Sequence, residues 1–159
     1  MRHVLIVDDD RTLLQAFTKY LPRMSHNLIV NACDSSLKAL ELVAKTDFDT
    51  IVVDIKMPEL DGLSLLREIR KIRPLTPVLV ITGYYGDYSQ ALEALRGGAT
   101  DFIHKPMEWD QFVACLEVAM QSYQAIKEKE EERLSLGHSV QELEKLLRNH
   151  SSKPYADRG

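Results

Sequence analysis

Three runs of consecutive apolar residues recur along this chain: Val4-Leu5-Ile6-Val7, Ile51-Val52-Val53 and Val78-Leu79-Val80-Ile81. Each offers no polar face to water. A strand built this way must be covered on both sides, as in parallel sheets whose crossover helices lie on both faces. Leu28-Ile29-Val30 and Phe102-Ile103-His104 are shorter runs of the same kind. Helical spacing fills the intervals, and the beat is five βα units with no internal repeat and no low-complexity tract. Right-handed crossovers then give a doubly wound α/β sheet. Periodicity alone leaves its strand order open.

The helices read as follows. Leu13, Leu14, Phe17 and Leu21 form the first apolar stripe, broken from Pro22 to Asn27. Ser35 and Ser36 can cap a second helix that buries Leu37, Leu40 and Val43 or Ala44. The turn Lys56-Met57-Pro58-Glu59-Leu60-Asp61-Gly62 leads to a third, through Leu63, Leu66, Ile69 and Ile72. Ala91, Leu92, Ala94 and Leu95 mark the fourth, stopped by Gly97-Gly98 in the manner of a glycine cap. A fifth begins near Trp109, buries Phe112, Cys115 or Leu116, and Ala119, and then extends through Tyr123 and Ile126 into a charged run. Gly137 is expected to interrupt it. Ser139 with Glu142 resembles a capping box ahead of a short second helix. Leu136, Val140, Leu143 and Leu147 follow 4-3-4 spacing over less than two heptads, so a solvated helix competes with a pairing seam. The expected partition is a domain over 1–125, a helical extension over 126–150 and a disordered tail over 151–159.

Composition excludes several classes. A length of 159 residues suits one domain with an appendage. A net charge of −4 argues against nonspecific nucleic-acid binding by this segment. The two cysteines, Cys33 and Cys115, lie far apart in apolar segments and read as buried free thiols suited to a reducing cytoplasm. No stretch is long and apolar enough for a signal peptide or a membrane span. The expected location is cytoplasmic.

The chemistry gathers at the strand ends. Asp8, Asp9 and Asp10 follow the first run, Asp54 the third, Thr82 the fourth and Lys105 the fifth. Open α/β sheets place ligands at that edge. Two unit charges about 4 Å apart repel by about 4 kcal/mol at an effective dielectric near 20, so crowded carboxylates need a cation or a proton. Mg²⁺ fits, since it takes one or two carboxylates and keeps positions open for phosphate oxygens. A carboxylate nucleophile beside such an ion, with a hydroxyl and an ammonium to hold the transferred group, is a phosphoryl-transfer arrangement.

Asp8-Asp9, Asp54, Met57-Pro58, Asp61-Gly62, Thr82 and Lys105-Pro106 together resemble the signature of bacterial response regulator receiver domains, over residues 1 to about 125. The resemblance implies a (βα)₅ fold of strand order 2-1-3-4-5. It implies a signalling switch rather than an enzyme, with Asp54 accepting a phosphoryl group from a histidine kinase or phosphotransfer protein. Asp9, Asp54 and the Lys56 carbonyl would bind Mg²⁺ directly, and Asp8 through water. Thr82 would turn toward the phosphoryl group, Phe102 would move inward with it, and Pro106 would follow a cis peptide. Asp10 is left to favour a helix N-terminus. Two departures stand out. Glu59 is unusual in its turn, and Gly83-Tyr84-Tyr85-Gly86-Asp87 reads one residue long before Gly98-Ala99. Lys56 and Tyr84 occupy positions where the family tunes phosphoryl lifetime. The extended fifth helix suggests a parallel homodimer.

A rival reading comes from another class. Asp8-x-Asp10-x-Thr12-Leu13 matches the first motif of haloacid-dehalogenase-type phosphatases. That fold needs another strand with an acidic pair after Lys105, where this chain has only helix, and it leaves Asp54 without a job. A nucleotide-binding reading lacks a glycine-rich loop after the first strand. His3, His26, His104, His138 and His150 have no metal-ligand spacing and read as surface or packing residues.

Overall fold

The structure, a computed structural model, describes residues 1–83 and 88–151. Five strands, β1 (Arg2–Val7), β2 (Leu28–Cys33), β3 (Thr50–Asp54), β4 (Val78–Thr82) and β5 (Asp101–His104), alternate with α1 (Arg11–Met24), α2 (Ser36–Lys45), α3 (Gly62–Ile72), α4 (Tyr88–Arg96) and α5 (Trp109–Ser151). The sheet is parallel with order β2-β1-β3-β4-β5. The fold expected from the sequence is therefore the one observed. The unusual loop length noted after Thr82, including Tyr84, falls largely on 84–87, outside the described residues; of the tail expected over 151–159, Ser151 ends α5 and 152–159 lie outside the described residues.

Strand alternation divides the core in two. Leu5, Val7, Ile51, Val53, Val78 and Val80 face Ala39 and Val43 of α2, Leu65, Leu66 and Ile69 of α3, and Ala94 of α4. Val4, Ile6, Val52, Leu79 and Ile81 face Leu14, Phe17 and Leu21 of α1, with Phe112, Leu116, Ala119 and Met120 of α5. Each fully buried Val, Leu, Ile, Phe or Met side chain among them contributes about 1.5–3 kcal/mol. Phe17 also meets Phe112 and Trp109, with ring centroids 5.0 and 5.4 Å apart. The edge strands β2 and β5 are only partly buried, so double coverage holds for β1, β3 and β4 alone.

Local chemistry sets the helix starts. Asp10 caps α1 and accepts from the Thr12 and Leu13 amides, while Ser35 caps α2 and Asp61 caps α3. Gly98, at φ +99°, closes α4 in the left-handed region, and the Ala99 amide donates back to the Ala94 carbonyl.

Several details differ from the expectation. α1 continues through Pro22 to Met24. Leu37, Ile72, Leu92 and Leu95 are exposed, because Ser36, Ala39, Val43, Leu65 and Ala91 face the sheet instead. Cys33 is buried, but Cys115 is only half-buried beside Leu116, which takes the core position. Gly137 does not interrupt α5, and Ser139 caps nothing; its hydroxyl donates to the Ser135 carbonyl inside the helix. A mid-helix glycine costs only about 1 kcal/mol relative to alanine, which strong helix formers on both sides can absorb.

The chain divides into two compact units, Met1–Tyr123 and Gln124–Gly159. In the first, α5 buries Phe112, Leu116, Ala119, Met120 and Tyr123. In the second, every described residue from Gln124 to Ser151 is helical, and all but Lys127 are exposed.

Candidate functional site

Strand register gathers residues that are far apart in the chain. β1 and β3 pair with Val7 opposite Val53, so Asp8 and Asp54 each stand one step beyond, side by side. Asp54 lies opposite Ile81, and Thr82 opposite His104. Lys105 follows at once, and its amide donates to the Thr82 carbonyl at 2.9 Å. Alternation then turns Asp8, Asp54 and Lys105 toward one side of the sheet edge, and Thr82, Phe102 and His104 toward the other.

The first group forms an ionic cluster. Asp8 is fully buried, Asp54 is 5% exposed and Asp9 is open to solvent. Carboxylate oxygens of the three lie within 4.8 Å of one another. The Lys105 ammonium stands 3.3 Å from Asp8 Oδ2 and 3.5 Å from Asp54 Oδ1. The Asp10 amide donates to Asp8 Oδ1 at 2.9 Å. Burial, reinforced by the charge of Asp8, pushes Asp54 up to about 6 against the pull of Lys105. Burial likewise raises Asp8. For Lys105, burial disfavours the ammonium, but Asp54 and Asp8 outweigh it and its pKa rises.

Three carboxylates against one ammonium leave two negative charges, the complement of one divalent cation. All the side-chain donors in the cluster are hard oxygens, so the residues fit an ion such as Mg²⁺. A cleft of about 540 Å³ lies beside the cluster, bordered by Asp9, Lys56, Met57, Pro58 and Asp61. Asp54 is thus a buried carboxylate with a countercharge in reach, in a cluster whose Asp9 borders an open cleft.

Two residues of this region carry more than their sequence context suggests. Gly62 runs so close to β3 that a Cβ there would collide with the Asp54 carbonyl oxygen and stand 2.6 Å from Ile55 Cα. Its amide donates to the Ile55 carbonyl at 2.8 Å. His104, read from the sequence as surface or packing, shares a 2.8 Å hydrogen bond through Nδ1 with Thr82 Oγ1. Only the strand register could have revealed it. Phe102 is half-buried with its ring edge-on to His104. Glu59, unusual for its turn, accepts from the Ser35 hydroxyl at 3.1 Å. Lys105-Pro106 is cis. Asp10 lies at a helix N-terminus, as expected, and does so as its N-cap, so the acid that a phosphatase motif requires beside Asp8 is committed to the helix.

Comparison with known proteins agrees with this geometry. Residues 4–117 match the family described as the response regulator receiver domain. The transcriptional regulatory protein ZraR of Escherichia coli (strain K12) is 37% identical over 120 residues, covering 74% of this chain and 26% of ZraR. The transcriptional regulatory protein FixJ of Bradyrhizobium diazoefficiens is 32% identical over 118 residues, covering 74% of this chain and 56% of FixJ. The chain therefore spans about a quarter of one relative and about half of the other. Among solved structures, the receiver domain of NtrX from Brucella abortus superposes with a TM-score of 0.68 at 32% identity, covering 74% of this chain and 98% of that domain.

Proposed function

This chain belongs to the response regulator receiver domain family, and on that footing we propose that it is a phosphorylation-activated switch of a two-component phosphorelay. Asp54 is the acceptor. Its carboxylate oxygen attacks the phosphorus of a phosphohistidine on a kinase or phosphotransfer partner. An O–P bond forms as the N–P bond breaks, and the electron pair stays on the imidazole nitrogen. The observation that carries the reading is the Lys105 ammonium set between Asp8 and Asp54, which supplies positive charge where phosphoryl oxygens gather. Asp9, Asp54 and the Lys56 carbonyl would hold Mg²⁺, with Asp8 acting through water. When bound, the ion neutralises charge on the transferred group.

Thr82 and Phe102 are the switch pair. Thr82 turns toward the phosphoryl group, and Phe102 follows into the space it leaves. The chain acts as a signalling domain, not as an enzyme on outside substrates, and we place it in the cytoplasm. Residues 1–125 form the switch and 126–150 an extension that passes its state to an output domain or partner. The exposed stripe Ile126, Leu136, Val140, Leu143 and Leu147 suits a parallel homodimer. This segment needs no nucleic-acid contact of its own.

The test is labelling by Mg²⁺ with acetyl phosphate, read by intact mass. One phosphoryl group is expected per chain, lost in Asp54→Asn and retained in Asp10→Asn. Labelling that survives in Asp54→Asn would overturn the assignment.

A further inference from the structure

We infer that His104 is a positioning residue that holds the Thr82 hydroxyl in the resting arrangement and so sets the threshold for switching; this rests on the role proposed above for Thr82. Thr82 is 2% exposed, and its Oγ1 is bonded to His104 Nδ1 at 2.8 Å. The two residues are register partners on β4 and β5, so their side chains leave the same face. That face is opposite to the one Asp54 takes by alternation. Thr82 can reach a phosphoryl group on Asp54 only by giving up His104.

The imidazole is exposed to solvent and flanked by two rings. Phe102 meets it edge-on with ring centroids 5.2 Å apart, and Tyr88, at the start of α4, meets it at 5.7 Å, each with planes 81° apart. One ring therefore touches the hydroxyl that must turn, the aromatic that must follow it, and the first residue of the helix beyond. The resting and switched packings are two populations, and a contact made in only one of them biases the ratio. The Thr82–His104 bond exists in the resting packing and is lost in the other. Removing it favours the switched packing without touching Asp8, Asp9, Asp54 or Lys105.

Two substitutions separate the bond from the ring. His104→Phe keeps an aromatic edge for Phe102 and Tyr88 but has no nitrogen for Thr82. His104→Asn restores a polar atom near the position of Nδ1. The readout is the affinity for beryllofluoride with Mg²⁺, measured by calorimetry on the full chain. His104→Phe is expected to bind about 2- to 10-fold more tightly than wild type, the range set by the net worth of one hydrogen bond. His104→Asn is expected to return to the wild-type value. In a Thr82→Ala background, His104→Phe is expected to add nothing.

Equal affinity of wild type and His104→Phe overturns the inference, as does the same gain in the Thr82→Ala background. If wild-type protein fails to bind beryllofluoride at all, the phosphoacceptor reading falls, and this inference with it. Binding in wild type with no effect of His104→Phe removes this inference alone.

Discussion

At the scale of single residues, the site is a charge imbalance held in the sheet edge. The folded chain keeps a proton on Asp54 up to about pH 6, whereas an unfolded aspartate releases it near pH 4. Between those values the native state binds more protons, so its stability falls as pH rises through that window. In metal-free protein, Asp54→Asn is therefore expected to raise stability at pH 7 by about 1–3 kcal/mol, and to flatten the loss between pH 4 and 6. Urea unfolding across that range measures both, and saturating Mg²⁺ should narrow the gap in favour of wild type. Lys105→Met should act in the opposite direction, since it leaves Asp8 and Asp54 facing each other with no countercharge. Asp8, Asp54 and Thr82 were legible as strand-end residues because each ends an apolar run that must be a buried strand, and Lys105 because it closes the shorter run of the edge strand β5. The Thr82–His104 pair was not legible, because it depends on the stagger between β4 and β5.

At the scale of elements, one glycine ties β3, the strand of the proposed acceptor, to the helix that follows it. Gly62 opens α3 while its backbone passes against the Asp54 carbonyl, so any side chain must push α3 away from β3. Gly62→Ala is expected to cost about 1–3 kcal/mol or more, as overpacking does, and to slow labelling of Asp54. Thermal unfolding and the acetyl phosphate rate report the two effects. Asp10→Ala removes a cap from α1 instead, at about 1 kcal/mol, and should leave the labelling rate close to wild type. The same contrast explains which elements the sequence revealed. Caps at Asp10, Ser35 and Asp61 act through neighbours in the chain, and Ser35 was read correctly on that basis. Helix faces depend on how each helix lies across the sheet. Hence Leu37, Leu92 and Leu95, which look like core residues by spacing, end up outside. Gly137 misleads for another reason: its local cost is small beside the helix formers around it.

At the scale of the whole molecule, an unbroken α5 extends the register of the apolar stripe. Counting back from Leu147, Leu143, Val140 and Leu136 at heptad spacing places Arg133, Lys129 and Ile126 in the same seam. Two basic residues there weaken pairing, so the dimer is expected to form through Leu136–Leu147 and to dissociate readily. Sedimentation should show a concentration-dependent dimer that is lost when the chain is cut after Ile126. A monomer at high micromolar concentration, with and without beryllofluoride, would rule it out. The sheet order has a separate kinetic consequence. Asp8 and Asp54 extend from β1 and β3, which are covered on both faces, whereas His104 and Lys105 lie at the partly exposed edge, where β5 has one neighbour. Amide hydrogen exchange should follow that gradient, slowest at Ile6, Val7, Ile51 and Val52 and fastest along Asp101–His104. The proposed acceptor, Asp54, would then sit on the part of the protein that almost never opens. Phe102, the aromatic proposed to follow Thr82, belongs to an edge strand that can loosen many times while β4 and its neighbours stay closed.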